Sequence, residues 1–137
     1  MTRSISKMQN KPVINHIAVH VVNLETSTHF YNNIIGLDII PEPFHDGRHT
    51  WFSINEQASA SLHIIQGAAA ISDHDKDSHL CFSVPSLETF IDNLDKNNVA
   101  FENWEGQANS ITVRPDGVKQ IFFKDPDGYW LEINDAK

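Results

Sequence analysis

The chain contains two similar segments that are offset by 63 residues. Residues 16–26 align without a gap with residues 79–89, and both segments begin with histidine, alternate in hydrophobicity and end in Leu-Glu-Thr. A shorter similarity, at an offset of 69 residues, joins residues 62–64 to residues 131–133. An internal repeat indicates that each copy is one supersecondary unit. The sequence therefore predicts a fold that is built from two copies of the same unit.

Both copies predict the same order of elements: an alternating strand, a helix and several short strands. Asn23 and Ser86 occupy equivalent positions as candidate helix N-caps, and Gly36 is a candidate left-handed residue at the end of the first helix. Strands are predicted at 13–22, 37–40, 51–54 and 60–65, and in the second copy at 79–84, 100–104, 110–113, 119–123 and 129–134.

The length of 137 residues fits one domain, which we place at residues 13–137. Its two tandem βαβββ modules are predicted at 13–72 and 78–135. Residues 1–12 are polar and predict a flexible tail without the apolar segment of a secretory signal. The acidic run at 73–77 lies between the modules and is interpreted as a solvated linker.

Charge and composition exclude several classes of function. The formal charge of -8 argues against nucleic-acid binding, because no basic stripe is present to neutralise phosphates. No apolar run approaches the roughly 18 residues of a membrane span. A single cysteine argues against a disulfide scaffold and fits a reducing compartment. We therefore expect a cytoplasmic protein that acts on a small molecule and has no membrane or nucleic-acid partner.

Strand parity predicts that four polar side chains share one face. Side chains along a strand alternate between its two faces. In the opening strands the odd positions 17, 19 and 21 and their equivalents at 80, 82 and 84 are apolar, and in the closing strands the apolar positions flank 63 and 132. The face opposite these apolar residues then carries His16, His63, His79 and Glu132.

Three imidazoles and one carboxylate can hold a divalent cation, such as Zn, Ni, Co, Fe or Mn. Any one of the histidines could instead be an ordinary hydrogen-bonded strand residue. Four such residues at equivalent repeat positions with the same parity favour a metal site. The predicted fold class is therefore α+β, with two tandem βαβββ modules that form a curved mixed sheet around a metal-binding cleft.

Other polar residues are candidates for binding a substrate. Arg48 and Trp51 lie in or beside a short strand near the predicted cleft mouth, and Arg114 flanks the final hairpin. They could bind an anionic or planar substrate, although surface charge and core packing also explain them. Cys81 shares the cleft face by parity, but no base for nucleophilic catalysis is identifiable, so a small buried residue is the expectation.

Three motifs in order carry a family resemblance over about residues 13–134. They are residues 16–19 (His-Ile-Ala-Val), Phe30-Tyr31 followed by Gly36-Leu37, and residues 125–133 (Asp-Pro-Asp-Gly-Tyr-Trp-Leu-Glu-Ile). The chain resembles the vicinal oxygen chelate superfamily, which includes glyoxalase I, fosfomycin-resistance proteins, methylmalonyl-CoA epimerase and extradiol dioxygenases. The last motif is particularly similar to the end of glyoxalase I.

The resemblance implies one of two ligand sets. The glyoxalase I and epimerase pattern takes ligands from the first and fourth strands of both modules, which are His16, His63, His79 and Glu132 here. The fosfomycin-resistance and dioxygenase pattern uses three ligands, which fall on His16, His79 and Glu132. The presence of His63 favours the four-ligand branch. The resemblance also implies a homodimer.

By resemblance to glyoxalase I, Glu132 is the base that isomerises a 2-oxoaldehyde thiol adduct to a 2-hydroxyacyl thioester. Two positions depart from that family. His63 replaces a second glutamate, and His20 replaces an arginine that grips a glutathione carboxylate. The expected thiol is therefore open, and His20 joins Arg48, Trp51 and Arg114 as a candidate substrate-binding residue.

Two other functions remain as alternatives to a metal-dependent lyase or isomerase. One is a non-haem iron oxygenase of the same superfamily, which is favoured only if His63 is not a ligand. The other is a resistance protein that sequesters a small molecule, as bleomycin-resistance relatives do. Those relatives often lack the ligand histidines, so the intact set here favours an enzyme.

Overall fold

The computed structural model describes residues 10–55 and 60–137, so residues 1–9 of the predicted tail lie outside the described residues. The strands are β1 (His16–Val21), β2 (Ile39–Ile40), β3 (His49–Ser53), β4 (Ser61–Gln66), β5 (His79–Ser83), β6 (Thr112–Val113), β7 (Lys119–Lys124) and β8 (Trp130–Asn134). The helices are α1 (Leu24–His29), which continues into a π-helical segment (Phe30–Ile35), and α2 (Leu87–Lys96).

The two predicted βαβββ modules are present, and the α+β fold class is confirmed. Each module forms its own mixed sheet of four strands, with the order β1-β4-β3-β2 in the first and β5-β8-β7-β6 in the second. In both sheets the opening strand pairs in parallel with the closing strand, and the remaining neighbours are antiparallel. The eight strands found among the described residues therefore divide into two sheets of four.

Residues 100–104 differ from the sequence-based expectation of a strand. Glu102 makes only isolated bridges, to Ala108 and to Phe122 at the edge of β7. The segment is instead tied down by side chains, because Asn103 accepts a hydrogen bond from the backbone N–H of Gln107 at 2.8 Å. A turn stabilised in this way cannot continue a regular strand ladder.

The helix starts follow from local sequence. The side chain of Asn23 accepts a hydrogen bond from the backbone N–H of Thr26 at 2.9 Å, and that of Ser86 accepts one from Thr89 at 3.2 Å. Both caps satisfy an N–H group that has no partner within the helix. Gly36 ends the first helical stretch with a φ of 93°, which a residue with a Cβ adopts only with strain.

One hydrophobic core joins the inner faces of both sheets and the helices that pack on them. It contains Val19, Val21, Phe30, Tyr31, Ile34, Phe52, Leu62, Ile64, Leu87, Leu94, Phe101, Ile121, Phe123, Leu131 and Ile133. Along β1, Val19 and Val21 are buried, whereas His16, Ala18 and His20 are exposed. The predicted parity of this strand is therefore confirmed.

The turn before β8 connects the two modules. Asp127 accepts hydrogen bonds from the backbone N–H of Val22 at 2.8 Å and from the hydroxyl of Ser27 at 3.0 Å. Asp125 accepts one from the buried hydroxyl of Tyr31 at 2.5 Å. Because both carboxylates are buried and bonded to the other module, this turn fixes how the modules pack. Within the described residues, no helix is long and apolar enough to cross a membrane.

Candidate metal centre

The repeat extends to the register of the two sheets. In the first sheet Ala18 of β1 lies beside His63 of β4, and in the second sheet Cys81 of β5 lies beside Glu132 of β8. Each closing strand thus brings one candidate ligand next to the strand that opens with a histidine. The equivalence predicted from sequence holds in three dimensions.

In the second sheet, His79 and Glu132 form a close pair. The Nε2 atom of His79 lies 3.0 Å from Oε1 of Glu132. The Nδ1 atom of His79 lies 2.8 Å from the carbonyl oxygen of Lys76, which can only accept, so Nδ1 carries a proton. Nε2 therefore faces the Glu132 carboxylate, which leaves this nitrogen and this oxygen as the two atoms of the pair that could bind a metal ion together.

The Glu132 carboxylate is held by neutral donors on its other oxygen. Gln120 donates to Oε2 at 2.8 Å and Asn134 donates to it at 2.9 Å, while Oε1 faces His79. Burial by itself raises the pKa of Glu132, but the hydrogen bonds from Asn134 and Gln120 outweigh it and lower the pKa. The carboxylate form, which is the form that ligates metals, is therefore favoured.

In the first sheet, His16 and His63 stack with ring centroids 4.2 Å apart. His16 Nδ1 lies 2.7 Å from the side-chain oxygen of Asn15, so Nε2 is the ring nitrogen that could bind a metal ion, as in His79. His63 is buried, its ring stacks on Trp51 at 3.7 Å, and its Nε2 atom lies 2.8 Å from the hydroxyl of Ser61. His63 is thus engaged on both faces and at Nε2.

The electrostatics of His63 favour its neutral form. Its pKa is lowered, first by burial and then by the positive charge that His16 and His49 can carry. A neutral imidazole can ligate a metal, but it is equally the form of a histidine that serves only in packing. The direction of this pKa shift is therefore compatible with both roles.

The four predicted ligands come together as two pairs and not as one set. Among the residues that the structure describes, no group of three or more His, Cys, Asp or Glu side chains is placed to hold a metal ion. The convergence of all four on one cleft therefore stays a prediction. Parity fixes which face of its own sheet a side chain occupies, but it does not bring the faces of two separate sheets together. Metal binding itself stays a prediction.

The candidate substrate-binding residues divide between the two sheets. His20 and Arg48 meet over Gly67, because a Cβ on this glycine would lie 3.0 Å from Nε2 of His20 and 3.3 Å from Nη2 of Arg48. Trp51 packs on His63 and so supports a candidate ligand directly. The first sheet therefore groups a cation, two imidazoles and an indole on one side.

Arg114 follows β6 of the second sheet and is partly exposed. It pairs with Asp116, and this hydrogen bond is the main cause that raises the pKa of Arg114. The positive charge of Arg114 also acts on Glu132 and Cys81. Its guanidinium is thus close enough to the His79 pair to attract an anion, although Asp116 competes for it.

Cys81 lies on the exposed face of β5, where a buried residue was expected. Partial desolvation and the charge of the neighbouring Glu132 raise the pKa of the thiol to about 12. The thiol therefore stays protonated at neutral pH and is a poor nucleophile. The sequence likewise indicates no nucleophilic role for Cys81.

The residues that surround the candidate ligands were not identified from the sequence. Ser61 and Asn134 share the parity of His63 and Glu132, and this could have identified them. Gln120 reaches Glu132 from an adjacent strand, and Lys76 reaches His79 through a backbone carbonyl. Those two contacts depend on chain pairing and turn geometry, which sequence spacing does not reveal.

Comparison with known proteins agrees with this architecture. The model of the Glyoxalase/Bleomycin resistance protein/Dioxygenase superfamily matches residues 13–133. The chain belongs to this superfamily. The resemblance inferred from the three motifs is thereby confirmed.

Individual relatives of the superfamily differ in their activities. Metallothiol transferase FosB of Staphylococcus epidermidis is 28% identical, with 88% of this chain and 80% of that protein covered. The fosfomycin resistance protein FosX of Listeria monocytogenes has a similar structure, with a TM-score of 0.72 at 19% identity, over 93% of this chain and 95% of that one. A lactoylglutathione lyase of Agrobacterium tumefaciens gives a TM-score of 0.66 at 14% identity, over 93% and 96%. At these identities the two solved structures show the fold alone.

Proposed function

We propose that the protein is a metal-dependent enzyme that transfers a thiol to a small molecule, with His16, His79 and Glu132 as metal ligands. The observation that carries this proposal is the His79–Glu132 pair, whose facing atoms are 3.0 Å apart and whose other polar atoms are already engaged. Nitrogen and oxygen donors of this kind suit Zn, Ni, Co, Fe or Mn. The sequence similarity to a metallothiol transferase supports the reaction class.

In this proposal, His16 would come from the first module of a second copy of the chain. Each module carries only one pair of candidate ligands, and the candidate faces of β1 and β5 are exposed at His16, His20 and His79. A homodimer that pairs the first sheet of one copy with the second sheet of another would complete the ligand set. The same arrangement would form two equivalent sites in each dimer.

When bound, a divalent metal would act as a Lewis acid that polarises a substrate oxygen. The protein's own residues would do the remaining work. Gln120 and Asn134 hold the Glu132 carboxylate in its charged form, which favours ligation but makes it a weak base. Arg48 and Arg114 offer cationic groups for an anionic substrate. Cys81 stays protonated, so the attacking thiol would come from a co-substrate.

A lyase or isomerase of the lactoylglutathione lyase type is the second candidate function. It needs His63 as a fourth ligand and Glu132 as a base. The stack of His63 on Trp51 and its contact with Ser61 favour the three-ligand set instead. A non-haem iron oxygenase would also use the three-ligand set. If the protein binds no metal, the remaining alternative is a protein that sequesters a small molecule.

Metal content of purified variants tests the ligand set. We expect one metal per chain in the unmodified protein, at least a tenfold loss of affinity in Glu132→Gln and His79→Ala, and little change in His63→Ala. His29→Ala is the control, because His29 is exposed and its ring hydrogen-bonds to Asn33, which is not a candidate ligand. Loss of metal in His63→Ala would favour the lyase. Equal metal in all variants would refute the site.

Mixing two variants tests whether the site spans two chains. His16→Ala and Glu132→Gln each inactivate both sites of a homodimer. In a mixed dimer one site would carry both substitutions and the other would carry neither. Recovery of about a quarter of the metal sites after mixing would support the dimer, whereas no recovery from a confirmed mixed dimer would contradict it.

The reaction is tested with metal-loaded protein and two thiols, glutathione and cysteine. Mass spectrometry would follow addition of each thiol to fosfomycin, and absorbance would follow conversion of the hemithioacetal formed from methylglyoxal. We expect the thiol adduct to form in the first assay and the second assay to remain at the uncatalysed rate. The reverse result would identify the lyase, and no turnover with tight binding would identify a sequestering protein.

A further inference from the structure

Lys76 lies between the two modules, in the acidic run that was interpreted as a solvated linker, but its ammonium group is enclosed by aromatic rings. Nζ lies 4.7 Å from the ring centroid of Trp130, 5.2 Å from that of Phe122 and 5.4 Å from that of Trp104. All three distances are within the range in which a cation is attracted to a ring face. We call these three rings the aromatic cage.

The ammonium group also uses its hydrogen-bonding capacity in full. It donates to Oε2 of Glu102 at 2.6 Å and to the backbone carbonyls of Asn103 and Trp104 at 2.9 and 3.1 Å. An ammonium group has three donors, so each has a partner. Its side chain is only 18% exposed. A cation that is paired, bonded and partly buried in this way has one favoured position.

The remainder of the linker is fixed to the second module by independent contacts. The indole N–H of Trp130 donates to the carbonyl of His74 at 3.1 Å, and the His74 ring stacks on Tyr129 at 4.1 Å. The backbone N–H of Ser78 donates to the carbonyl of Asp75 at 3.0 Å, which forms a turn around Lys76. The linker is therefore an ordered part of the second module.

This anchorage leads directly to His79. The backbone carbonyl of Lys76 accepts the Nδ1 proton of His79 at 2.8 Å, and the aromatic cage shares Phe122 with the His79 environment, where the two rings meet edge to face at 5.8 Å. Since the carbonyl and the caged ammonium belong to one residue, the cage sets where the acceptor for Nδ1 lies. Holding this proton on Nδ1 leaves Nε2 directed at Glu132.

We propose that Lys76 is a positioning residue for His79, and that the aromatic cage acts on the metal centre by fixing the Lys76 carbonyl. The inference rests on the proposed function, since it assigns a purpose to the orientation of a proposed ligand. Outer groups that orient a ligating histidine typically contribute about 10- to 100-fold to metal affinity. The role of Lys76 is geometric, because its ammonium group faces the cage and its carbonyl faces His79.

The test compares Lys76→Met with Lys124→Met. The second variant is a matched control, because Lys124 also lies over Trp130, at 5.0 Å, and pairs with Asp73 at 3.9 Å, whereas its backbone carbonyl does not accept the Nδ1 proton of His79. The first measurement is by NMR on metal-free protein labelled with ¹⁵N-histidine, and it follows the Nδ1 proton of His79. The second is Zn²⁺ affinity by titration calorimetry.

We expect the Nδ1 proton of His79 to exchange at least tenfold faster in Lys76→Met than in the unmodified protein, and Zn²⁺ affinity to fall about tenfold. Lys124→Met should change neither measurement. Trp104→Leu removes one wall of the cage, leaves Lys76 in place and should shift both measurements in the same direction. It also keeps the proposal testable if Lys76→Met does not fold.

The two measurements separate this inference from the proposed function. Faster exchange of the Nδ1 proton without any Zn²⁺ binding in the unmodified protein would support the positioning role and refute the metal site. Unchanged exchange of the Nδ1 proton in both Lys76→Met and Trp104→Leu would overturn the positioning role, whatever the Zn²⁺ affinity of these variants. An equal effect of Lys124→Met would also overturn it, since a general loss of surface charge would then explain the result.

Discussion

Tyr31→Phe probes one of the hydrogen bonds that join the two modules. The Tyr31 hydroxyl donates to Oδ2 of Asp125 at 2.5 Å, and both side chains are buried. The other oxygen of Asp125 keeps its donors, the backbone N–H groups of Asp127 and Tyr129, each within 2.9 Å. Only Oδ2 would lose its partner. A hydrogen bond to a charged group contributes about 1.5–3 kcal/mol, so we expect Tyr31→Phe to lower the free energy of unfolding by about 2 kcal/mol at pH 7.

The pH dependence of this loss has a defined sign. Burial raises the pKa of Asp125, and the Tyr31 hydroxyl opposes that rise. A raised pKa means that Asp125 contributes stability below its unfolded pKa and loses that contribution as pH rises through its folded pKa. Removing the hydroxyl raises the folded pKa further, so the cost of Tyr31→Phe should be largest at neutral pH and shrink as the pH falls towards the pKa of Asp125.

Urea unfolding followed by circular dichroism, at pH 7 and at pH 4.5, measures both effects. Tyr129→Phe is the matched control, because its hydroxyl makes only a 3.3 Å contact with the carbonyl of His20, and it should cost less than about 0.5 kcal/mol. A Tyr31→Phe protein no less stable than the control at pH 7 would refute the reasoning. A cost that did not change between the two pH values would refute the assigned role of the Asp125 charge.

Three further predictions follow from the contacts. Gly128→Ala should lower the free energy of unfolding in urea by more than about 2 kcal/mol, because φ is +86° and a Cβ would lie 2.3 Å from the Ser72 carbonyl oxygen. Gly117→Ala is the control: its φ is +89° but a Cβ there would meet open space, so it should cost only about 1 kcal/mol. Ser61→Ala should cost about 1 kcal/mol yet leave Zn²⁺ affinity within about twofold, and a large loss of affinity would count against a purely packed His63. In metal-free protein, Cys81 should react with iodoacetamide at pH 7.5 about a thousandfold more slowly than a thiol of ordinary pKa, and a rate like that of free cysteine would contradict the raised pKa.

Much of the fold could be predicted because its signals are local. The caps at Asn23 and Ser86 depend on a side chain and an N–H group three residues away, so they are visible in the sequence. Alternation in β1 predicts which side chains face the core, since side chains along a strand have a period of two. The strand expected at 100–104 failed, because side-chain hydrogen bonds around Asn103 replace the ladder there.

The candidate site was predictable only in part. The repeat identified His16, His63, His79 and Glu132. The sheet register confirms that His63 beside β1 and Glu132 beside β5 occupy equivalent positions. Their convergence on one cleft stays a prediction, because it depends on how two separate sheets face each other, and strand parity does not fix that arrangement. The same holds for the supporting contacts of Glu132, which come from Gln120 on a neighbouring strand.

The sequence by itself determined the two modules, their element order and the face that each candidate ligand occupies. These properties follow from short-range periodicity, capping and turns, which act within a few residues. Only the tertiary structure decided that the four candidate ligands lie in two pairs, that His63 is stacked between Trp51 and His16, and that Lys76 lies in an aromatic cage beside His79. Those contacts join residues that are close in space through packing of distant segments, and hydrophobic patterning does not encode their distances.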